Sequence, residues 1–284
     1  MTIDSANRLL IASLYGLYDE REAASISSLV MERLTTLTKS QRLLHKSDVI
    51  TPNQEELFRH YLAELMRHRP VQYVLGEAWF GNLPFYVDER VLIPRPETEE
   101  LANWLLKDDC SERRGLSVWD IGTGSGCIAV YLKKKRLDFR VMALDISGPA
   151  LEVAKRNSGV HDSEVNFYLC DIRDGKQTEG LPAPDLIISN PPYIPEKQKP
   201  FLDAQVRDFE PALALFVPDE EPILYYQVIG ELALKKLKPG GTVFLEIHHD
   251  HAKEIMNWFE SKGFIIELKR DFSGNNRMIK ARRP

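Results

Sequence analysis

The chain has 284 residues, enough for about two domains that each bury a hydrophobic core. Hydrophobic residues make up 43% and charged residues 28% of it, which excludes a disordered chain and a coiled coil. The net charge of −5 provides no general field for a polyphosphate backbone, so nucleic-acid binding would need a local basic patch.

The cysteine content and the N-terminal sequence indicate a cytoplasmic protein. Cys110, Cys127 and Cys170 are odd in number and have no C-x-x-C spacing, which argues against a disulfide framework and a zinc knuckle. The first residues lack the layout of a signal peptide, and no apolar run approaches the roughly 18 residues of a membrane span. We expect no membrane association.

The N-terminal region, 1–72, has the apolar spacing of a small helical bundle. Thr51 as N-cap, Pro52 at the first helical position and Gln54 as capping-box partner predict a helix that runs to Arg69-Pro70. Basic and acidic residues balance in this region, which favours a protein partner over a nucleic acid.

The rest of the chain is predicted to be an α/β domain, 95–284, preceded by a β-hairpin linker, 73–94. The last two strand candidates are close in sequence and are expected to pair antiparallel as a closing hairpin. The predicted fold is a Rossmann-like seven-stranded sheet behind a small N-terminal helical bundle. The strand candidates are 117–121, 140–146, 165–170, 185–189, 242–247, 264–270 and 277–283.

A glycine-rich loop follows the first strand of the predicted sheet. The segment Gly122-Thr123-Gly124-Ser125-Gly126 leads into a helix, and glycines are needed where the backbone turns sharply beside a ligand. Asp145 comes 19 residues after Gly126, at the end of the next strand, where a carboxylate can accept both hydroxyls of a ribose. The pattern predicts a nucleoside-containing cofactor.

Charge favours S-adenosylmethionine over a nicotinamide dinucleotide. The loop reads G-x-G-x-G and follows Asp120, whose carboxylate would repel a pyrophosphate but attract the sulfonium and ammonium of a methyl donor. Asp171, at the end of the third strand, could reach the adenine edge. The alternative for Asp145 and Asp171 is that they merely cap strand ends.

The segment Asn190-Pro191-Pro192-Tyr193 follows the fourth strand, at the sheet edge where open α/β folds bind ligands. Two prolines remove two N–H donors and leave carbonyl acceptors, which suits a substrate NH2 group. Asn190 Oδ1 and the Pro191 carbonyl would localise the lone pair of an amide nitrogen, and Tyr193 would stack on the planar group. The alternative is an ordinary turn.

With these motifs, the chain resembles the protein-(glutamine-N5) methyltransferases that modify peptide chain release factors. The resemblance covers nearly the whole length. The matching segments, besides the loop and Asn190 to Tyr193, are Arg69 to Tyr73 with Gly76, Phe80, Phe85, Val91 to Glu99, Asp145 to Ser147, and Glu210 to Leu213.

The resemblance implies a class I S-adenosylmethionine-dependent methyltransferase fold, with an N-terminal domain that docks the release factor. The substrate would be the glutamine of the Gly-Gly-Gln motif in class I release factors. The loop from Asp120, Asp145, Asp171, Ile172 and Asn190 would bind the donor. Asn190 to Tyr193 would bind the glutamine, with Asn190, Pro191 and Tyr193 acting on it. We expect a monomer without a metal.

Two departures from the family pattern stand out. Ile172 replaces an aromatic residue that lies against adenine in some members, and His248 replaces a glycine after Glu246-Ile247. A metal site at His248, His249 and His251 is disfavoured, because three histidines within four residues cannot all point one way; we expect a solvated helix start.

Three other functions remain open. The same core could methylate a glutamine of a ribosomal protein, and only the N-terminal bundle would separate that branch. An adenine methyltransferase of DNA would need basic patches and a target-recognition insert. A translation-associated protein that binds the cofactor without transfer is the alternative outside the enzymes.

Overall fold

The computed structural model describes residues 1–283 and divides into two compact units. The first contains Met1–Glu77 together with Asp203–Phe209, and the second contains Ala78–Leu202 and the chain from Glu210 onward. No helix within residues 1–283 is long and apolar enough to cross a bilayer.

The first unit is a bundle of helices, as the sequence predicts. Its core contains Leu10, Leu14, Val30 and Phe58, all almost fully buried. Its helices are α1 (Ile3–Leu14), α2 (Glu20–Thr35), α3 (Lys39–Leu44), α4 (Pro52–Leu65) and α5 (Val71–Leu75), joined by the later short helix Ala204–Phe209.

The capping box at the start of α4 is present in full. The backbone N–H of Gln54 donates to Thr51 Oγ1 at 3.3 Å, and the N–H of Thr51 donates to Gln54 Oε1 at 2.8 Å. The helix ends at Leu65, earlier than the predicted stop at Arg69-Pro70, and the chain then takes a left-handed conformation at His68.

A two-stranded hairpin opens the second unit: β1 (Ala78–Phe80) pairs antiparallel with β2 (Leu83–Phe85). Phe80 and Phe85 are buried in the same core cluster as Val118 of the large sheet. The hairpin therefore belongs to the second unit, whereas the sequence predicted a separate linker over 73–94.

The second unit is built on a seven-stranded sheet. Its strands, in order across the sheet, are β10 (Ile265–Arg270), β11 (Asn276–Arg282), β9 (Thr242–Glu246), β6 (Leu186–Ser189), β3 (Ser117–Ile121), β4 (Arg140–Asp145) and β5 (Val165–Leu169). The inner strands β3, β6 and β9 are buried along their whole length, and only β11 runs against its neighbours. The seven predicted strands and the closing antiparallel hairpin are confirmed. Two further short strands, β7 (Ile194–Pro195) and β8 (Phe216–Val217), pair with each other apart from this sheet.

Helices cover both faces of this sheet. Neighbouring residues alternate between two cores, so that Val118 belongs to one cluster and Trp119 to the other. The helices are α6 (Pro96–Lys107), α7 (Cys127–Lys135), α8 (Gly148–Val160), α9 (Gly175–Thr178), α11 (Ala212–Leu215), α12 (Leu224–Lys236) and α13 (Ala252–Ser261), with Ala204–Phe209 as α10 and 3₁₀ turns at Asp109–Ser111, Glu196–Phe201 and His249–His251.

Candidate active site

A cleft opens at the carboxyl ends of β3, β4 and β6, where the chain leaves the parallel strands. It contains about 900 Å³ of empty space, part of it open to solvent. Residues from the glycine loop, the ends of the strands and the segment after β6 line it. Among them are Gly122, Gly124, Asp145, Asp171, Ile172, Asn190, Pro191 and Pro192.

The glycines of the loop have two different roles. Gly122 and Gly124 line the cleft with left-handed φ of 71° and 53°, and a Cβ on either would enter open space. Gly126, with φ of 79°, does not line it; a Cβ there would come within 3.0 Å of the Ala154 Cβ on α8. The first two therefore leave room for a ligand, while Gly126 allows α7 and α8 to approach.

Asp120 lies behind the loop rather than on the cleft wall. Its Oδ2 accepts from Thr123 Oγ1 at 2.6 Å and from the backbone N–H of Ala129 at 3.1 Å, which ties the loop to α7. Its Oδ1 is buried and has no hydrogen-bond partner within residues 1–283. Burial raises the pKa of this carboxyl to about 7.

Asp145 does line the cleft, at the end of β4. Its Oδ2 accepts from the N–H of Gly124 and its Oδ1 from the N–H of Ser147, both at 2.9 Å. Burial raises the pKa of Asp145, and these two backbone hydrogen bonds oppose the rise. Each carboxylate oxygen keeps a second lone pair with which to accept a hydroxyl.

Asp171 and Ile172 line the cleft beyond β5. Arg173 donates to both oxygens of Asp171, from Nε at 2.9 Å and from a terminal nitrogen at 2.7 Å, and this pairing lowers the pKa of Asp171. Ile172 offers an apolar surface without a ring. The pairing with Arg173 means that Asp171 contributes less charge to the cleft than Asp145.

Asn190 is held by two residues that we did not identify from the sequence. Its Nδ2 donates to Thr98 Oγ1 at 3.0 Å, and Thr98 Oγ1 donates to Glu246 Oε2 at 2.6 Å. The Tyr193 hydroxyl donates to Glu246 Oε1 at 3.1 Å. Glu246 thus joins two members of the Asn190 to Tyr193 segment, and Tyr193 itself does not line the cleft.

The segment before α6 is fixed by Glu210. A terminal nitrogen of Arg95 and the backbone N–H of Ile93 both donate to the Glu210 carboxylate, which is 6% exposed. Because Leu92 and Pro211 line the cleft beside this ion pair, it holds two parts of the wall together.

Of the histidines after Glu246, His249 is exposed at the start of a helix as expected, whereas His248 is buried. His248 is 7% exposed; its ring stacks on His249 at 4.9 Å and meets the Tyr193 ring edge-on at 5.8 Å. Potential ligand atoms of His248, His249 and Asp250 lie within 4.8 Å of one another, because the chain turns into a 3₁₀ helix here. The local turn brings together side chains that a helix or strand would separate.

The charges of the cleft fit a cationic donor better than a phosphate. The two arginines of the lining are already paired, Arg90 with Asp88 and Arg173 with Asp171. Asp145 remains as an acceptor on the cleft wall, and the carboxyl of Asp120 lies buried behind the glycine loop. The residues present therefore fit S-adenosylmethionine, which has a ribose diol and two positive groups.

Two methyltransferases of solved structure have a similar fold. A methyltransferase from Pyrococcus furiosus matches with a TM-score of 0.52 at 17% identity, covering 82% of this chain and 98% of that one. A 16S rRNA N2 G1207 methyltransferase from Thermus thermophilus, solved with AdoMet and guanosine, matches with a TM-score of 0.51 at 14% identity, covering 73% and 50%. The strand order with its single reversed strand defines a class I methyltransferase fold.

Sequence comparison narrows the class to one family. Residues 99–211 match the model of the methyltransferase small domain, and residues 12–76 match that of the PrmC N-terminal domain. Release factor glutamine methyltransferases from Flavobacterium psychrophilum and Bacteroides thetaiotaomicron are 37% and 35% identical, over 99% and 95% of this chain and 99% and 96% of theirs. The chain belongs to the release factor glutamine methyltransferase family.

Family membership confirms the resemblance inferred from the motifs, and the fold confirms the predicted architecture. Of the predicted site residues, Gly122, Gly124, Asp145, Asp171 and Ile172 meet Asn190, Pro191 and Pro192 at the cleft. Asp120, Thr123, Ser125, Gly126 and Tyr193 lie behind its wall, and their contact with a ligand stays a prediction. The sequence reasoning missed Thr98 and Glu246 as site residues. The signals that could have indicated them are that Thr98 lies within a segment that carried the resemblance and that Glu246 ends a strand at the same edge of the sheet.

Proposed function

We propose that this protein transfers a methyl group from S-adenosylmethionine to the side-chain nitrogen of the glutamine in the Gly-Gly-Gln motif of class I release factors. The observation that carries the proposal is the position of Asn190 on the cleft wall. Its NH2 is used by Thr98, so its Oδ1 is left to accept from a substrate. Pro191 and Pro192 beside it have no N–H to compete.

Glycine and aspartate residues form the binding site for the methyl donor. Gly122 and Gly124 leave space for the donor, and Asp145 accepts its ribose hydroxyls. Bound S-adenosylmethionine would supply an electrophilic methyl whose carbon–sulfur bond electrons stay on sulfur. Buried and partly buried carboxylates at Asp120 and Asp145 favour its positive charge.

Asn190 and Pro191 supply the acceptor half. By accepting the two hydrogens of the substrate NH2, the Asn190 Oδ1 and the Pro191 carbonyl orient the nitrogen lone pair towards the methyl. The nitrogen becomes acidic as the new bond forms, and it releases its proton to water. Positioning and preorganised dipoles therefore account for the rate, and no basic side chain is required.

The protein acts as a cytoplasmic monomer, and the helical unit contributes the surface that docks the release factor, without direct contact to nucleic acid. The free state of Cys110, Cys127 and Cys170 is consistent with a reducing compartment.

The test compares Asn190→Ala with Asn166→Ala, an exposed asparagine on the edge strand β5. We expect Asn190→Ala to abolish methyl transfer to a release factor while the Kd for S-adenosylmethionine, measured by calorimetry, stays largely intact. Asn166→Ala should behave as wild type. Equal losses of transfer and donor binding in Asn190→Ala would contradict the role given to this residue.

A further inference from the structure

Asn190 is connected to the protein interior through two buried side chains. Thr98, from α6, lies between Asn190 and Glu246. Its Oγ1 is 3.0 Å from Asn190 Nδ2 and 2.6 Å from Glu246 Oε2. Thr98 is 4% exposed and Glu246 is 1% exposed. Water therefore has little access to either side chain and cannot readily replace these hydrogen bonds.

The number of hydrogens that each group can donate fixes which group donates in each of these hydrogen bonds. An ionised carboxylate only accepts, and a threonine hydroxyl has a single hydrogen to donate. When Glu246 takes that hydrogen, the Thr98 oxygen can only accept from Asn190. The NH2 of Asn190 must then face Thr98, and its Oδ1 faces the other way.

We propose that Thr98 and Glu246 are positioning residues that fix the rotation of the Asn190 amide, so that Oδ1 and not NH2 faces the substrate nitrogen. The inference rests on the proposed function, because only a substrate with an NH2 group needs an acceptor there. A reversed amide would set one NH2 against another.

The charge of Glu246 controls this arrangement. The groups that face it are the hydroxyl of Tyr193, Arg277 from β11, Glu97 from α6 and Tyr226 from α12. Burial raises the pKa of Glu246 to about 7, against the hydrogen bonds from Thr98 and Tyr193 and the charge of Arg277.

Protonation of Glu246 removes the constraint. A protonated carboxyl can donate to Thr98, which frees the Thr98 hydroxyl to donate to Asn190 Oδ1 and lets the amide reverse. Because the raised pKa means that the proton binds as pH falls through about 7, kcat/KM for the glutamine substrate falls in the same direction.

The kinetic test uses Thr98→Val, which keeps the volume but removes the hydroxyl. We expect kcat/KM for the release factor to fall at least tenfold at pH 8, while the Kd for S-adenosylmethionine changes less than threefold. Thr98→Ser should restore most of the activity. Thr242→Val, the same change at a buried threonine at the other end of β9, serves as the control and should match wild type.

The pH test uses Glu246→Gln, which cannot titrate. At saturating donor, kcat/KM of wild type should fall from pH 8 to pH 6 with an apparent pKa near 7, and the lower activity of Glu246→Gln should not change over that range. A Thr98→Val enzyme that equals Thr242→Val, or the same pH dependence in Glu246→Gln as in wild type, overturns the proposal.

A measurement without turnover separates this proposal from the proposed function. In protein labelled with ¹⁵N-asparagine, the side-chain NH2 signal of Asn190, assigned with Asn190→Ala, should shift between pH 6 and 8 in wild type but not in Thr98→Val. A signal that titrates identically in wild type and Thr98→Val overturns the positioning role of Thr98 and Glu246, whatever the substrate. Failure of wild type to methylate any release factor overturns the proposed function instead.

Discussion

At the scale of single residues, the environment of each carboxylate decides what it can contribute. Asp145 is held by two backbone N–H groups on the cleft wall, whereas Asp171 is held by the charge of Arg173. The sequence indicated both positions, because each follows a strand of the sheet. It placed Thr98 in a segment that carries the resemblance but could not indicate its contact with Asn190, which is 92 residues away and meets it only through the fold.

Replacement of Asp145 tests the donor site. Asp145→Asn keeps the shape but places an NH2 against one of the two backbone donors, so it loses both a charge and an acceptor. We expect the Kd for S-adenosylmethionine to rise roughly 10- to 100-fold, about 1–3 kcal/mol, in calorimetry.

Asp171→Asn is the matched control for that change. Its carboxylate lines the same cleft but is already neutralised by Arg173, so the Kd should change less than about threefold. An unchanged Kd in Asp145→Asn would remove Asp145 from its assigned role.

At the scale of elements, the strands were predictable to within one residue, and the inner strands β3, β6 and β9 are apolar runs of limited length that are buried throughout. The position of the hairpin was not predictable in this way. Its alternation indicates two strands, but only the packing of Phe80 and Phe85 against the sheet assigns it to the second unit. Local sequence predicts the type of an element better than it predicts which other elements pack against it.

Gly126→Ala tests the packing of α7 on α8. The new Cβ would lie 3.0 Å from the Ala154 Cβ and 3.2 Å from its Cα, at a left-handed φ of 79°. We expect a loss of about 1–3 kcal/mol in the free energy of unfolding, measured with denaturant.

Gly148→Ala, at the start of α8, is the control for that prediction. No atom lies within 4 Å of its added Cβ and its φ is not left-handed, so its stability should lie within about 0.5 kcal/mol of wild type or above it. A Gly126→Ala protein as stable as this control would show that close helix approach does not explain Gly126.

At the scale of the whole molecule, the sequence predicts a helical domain over 1–72, a linker over 73–94 and a catalytic domain over 95–284. The structure divides the chain between Glu77 and Ala78 and adds Asp203–Phe209 to the first unit, where the Gln205 side chain donates to Glu22 at 3.2 Å. A contact over such a separation leaves no local pattern to detect.

The first unit has exposed apolar side chains that suit a protein partner. Leu43 and Leu44 are 71% and 83% exposed. If the helical unit docks the release factor, Leu43→Ser/Leu44→Ser should raise the KM for that protein several-fold and leave the Kd for S-adenosylmethionine unchanged. Steady-state kinetics with whole release factor measures the first and calorimetry the second.

Leu137→Ser provides the control. Leu137 is 77% exposed and precedes β4, at the sheet edge opposite to the cleft. Its substitution should leave both constants unchanged. A KM equally raised by both variants, or by neither, would argue against docking through this part of the helical unit.

The central claim is tested most directly by mass spectrometry of a purified release factor after incubation with this protein and S-adenosylmethionine. We predict a single added methyl on the glutamine of the Gly-Gly-Gln motif, absent when that glutamine is replaced. An unmodified release factor in the presence of demonstrable donor binding, with methyl transfer instead to a ribosomal protein or to adenine in DNA, would contradict it.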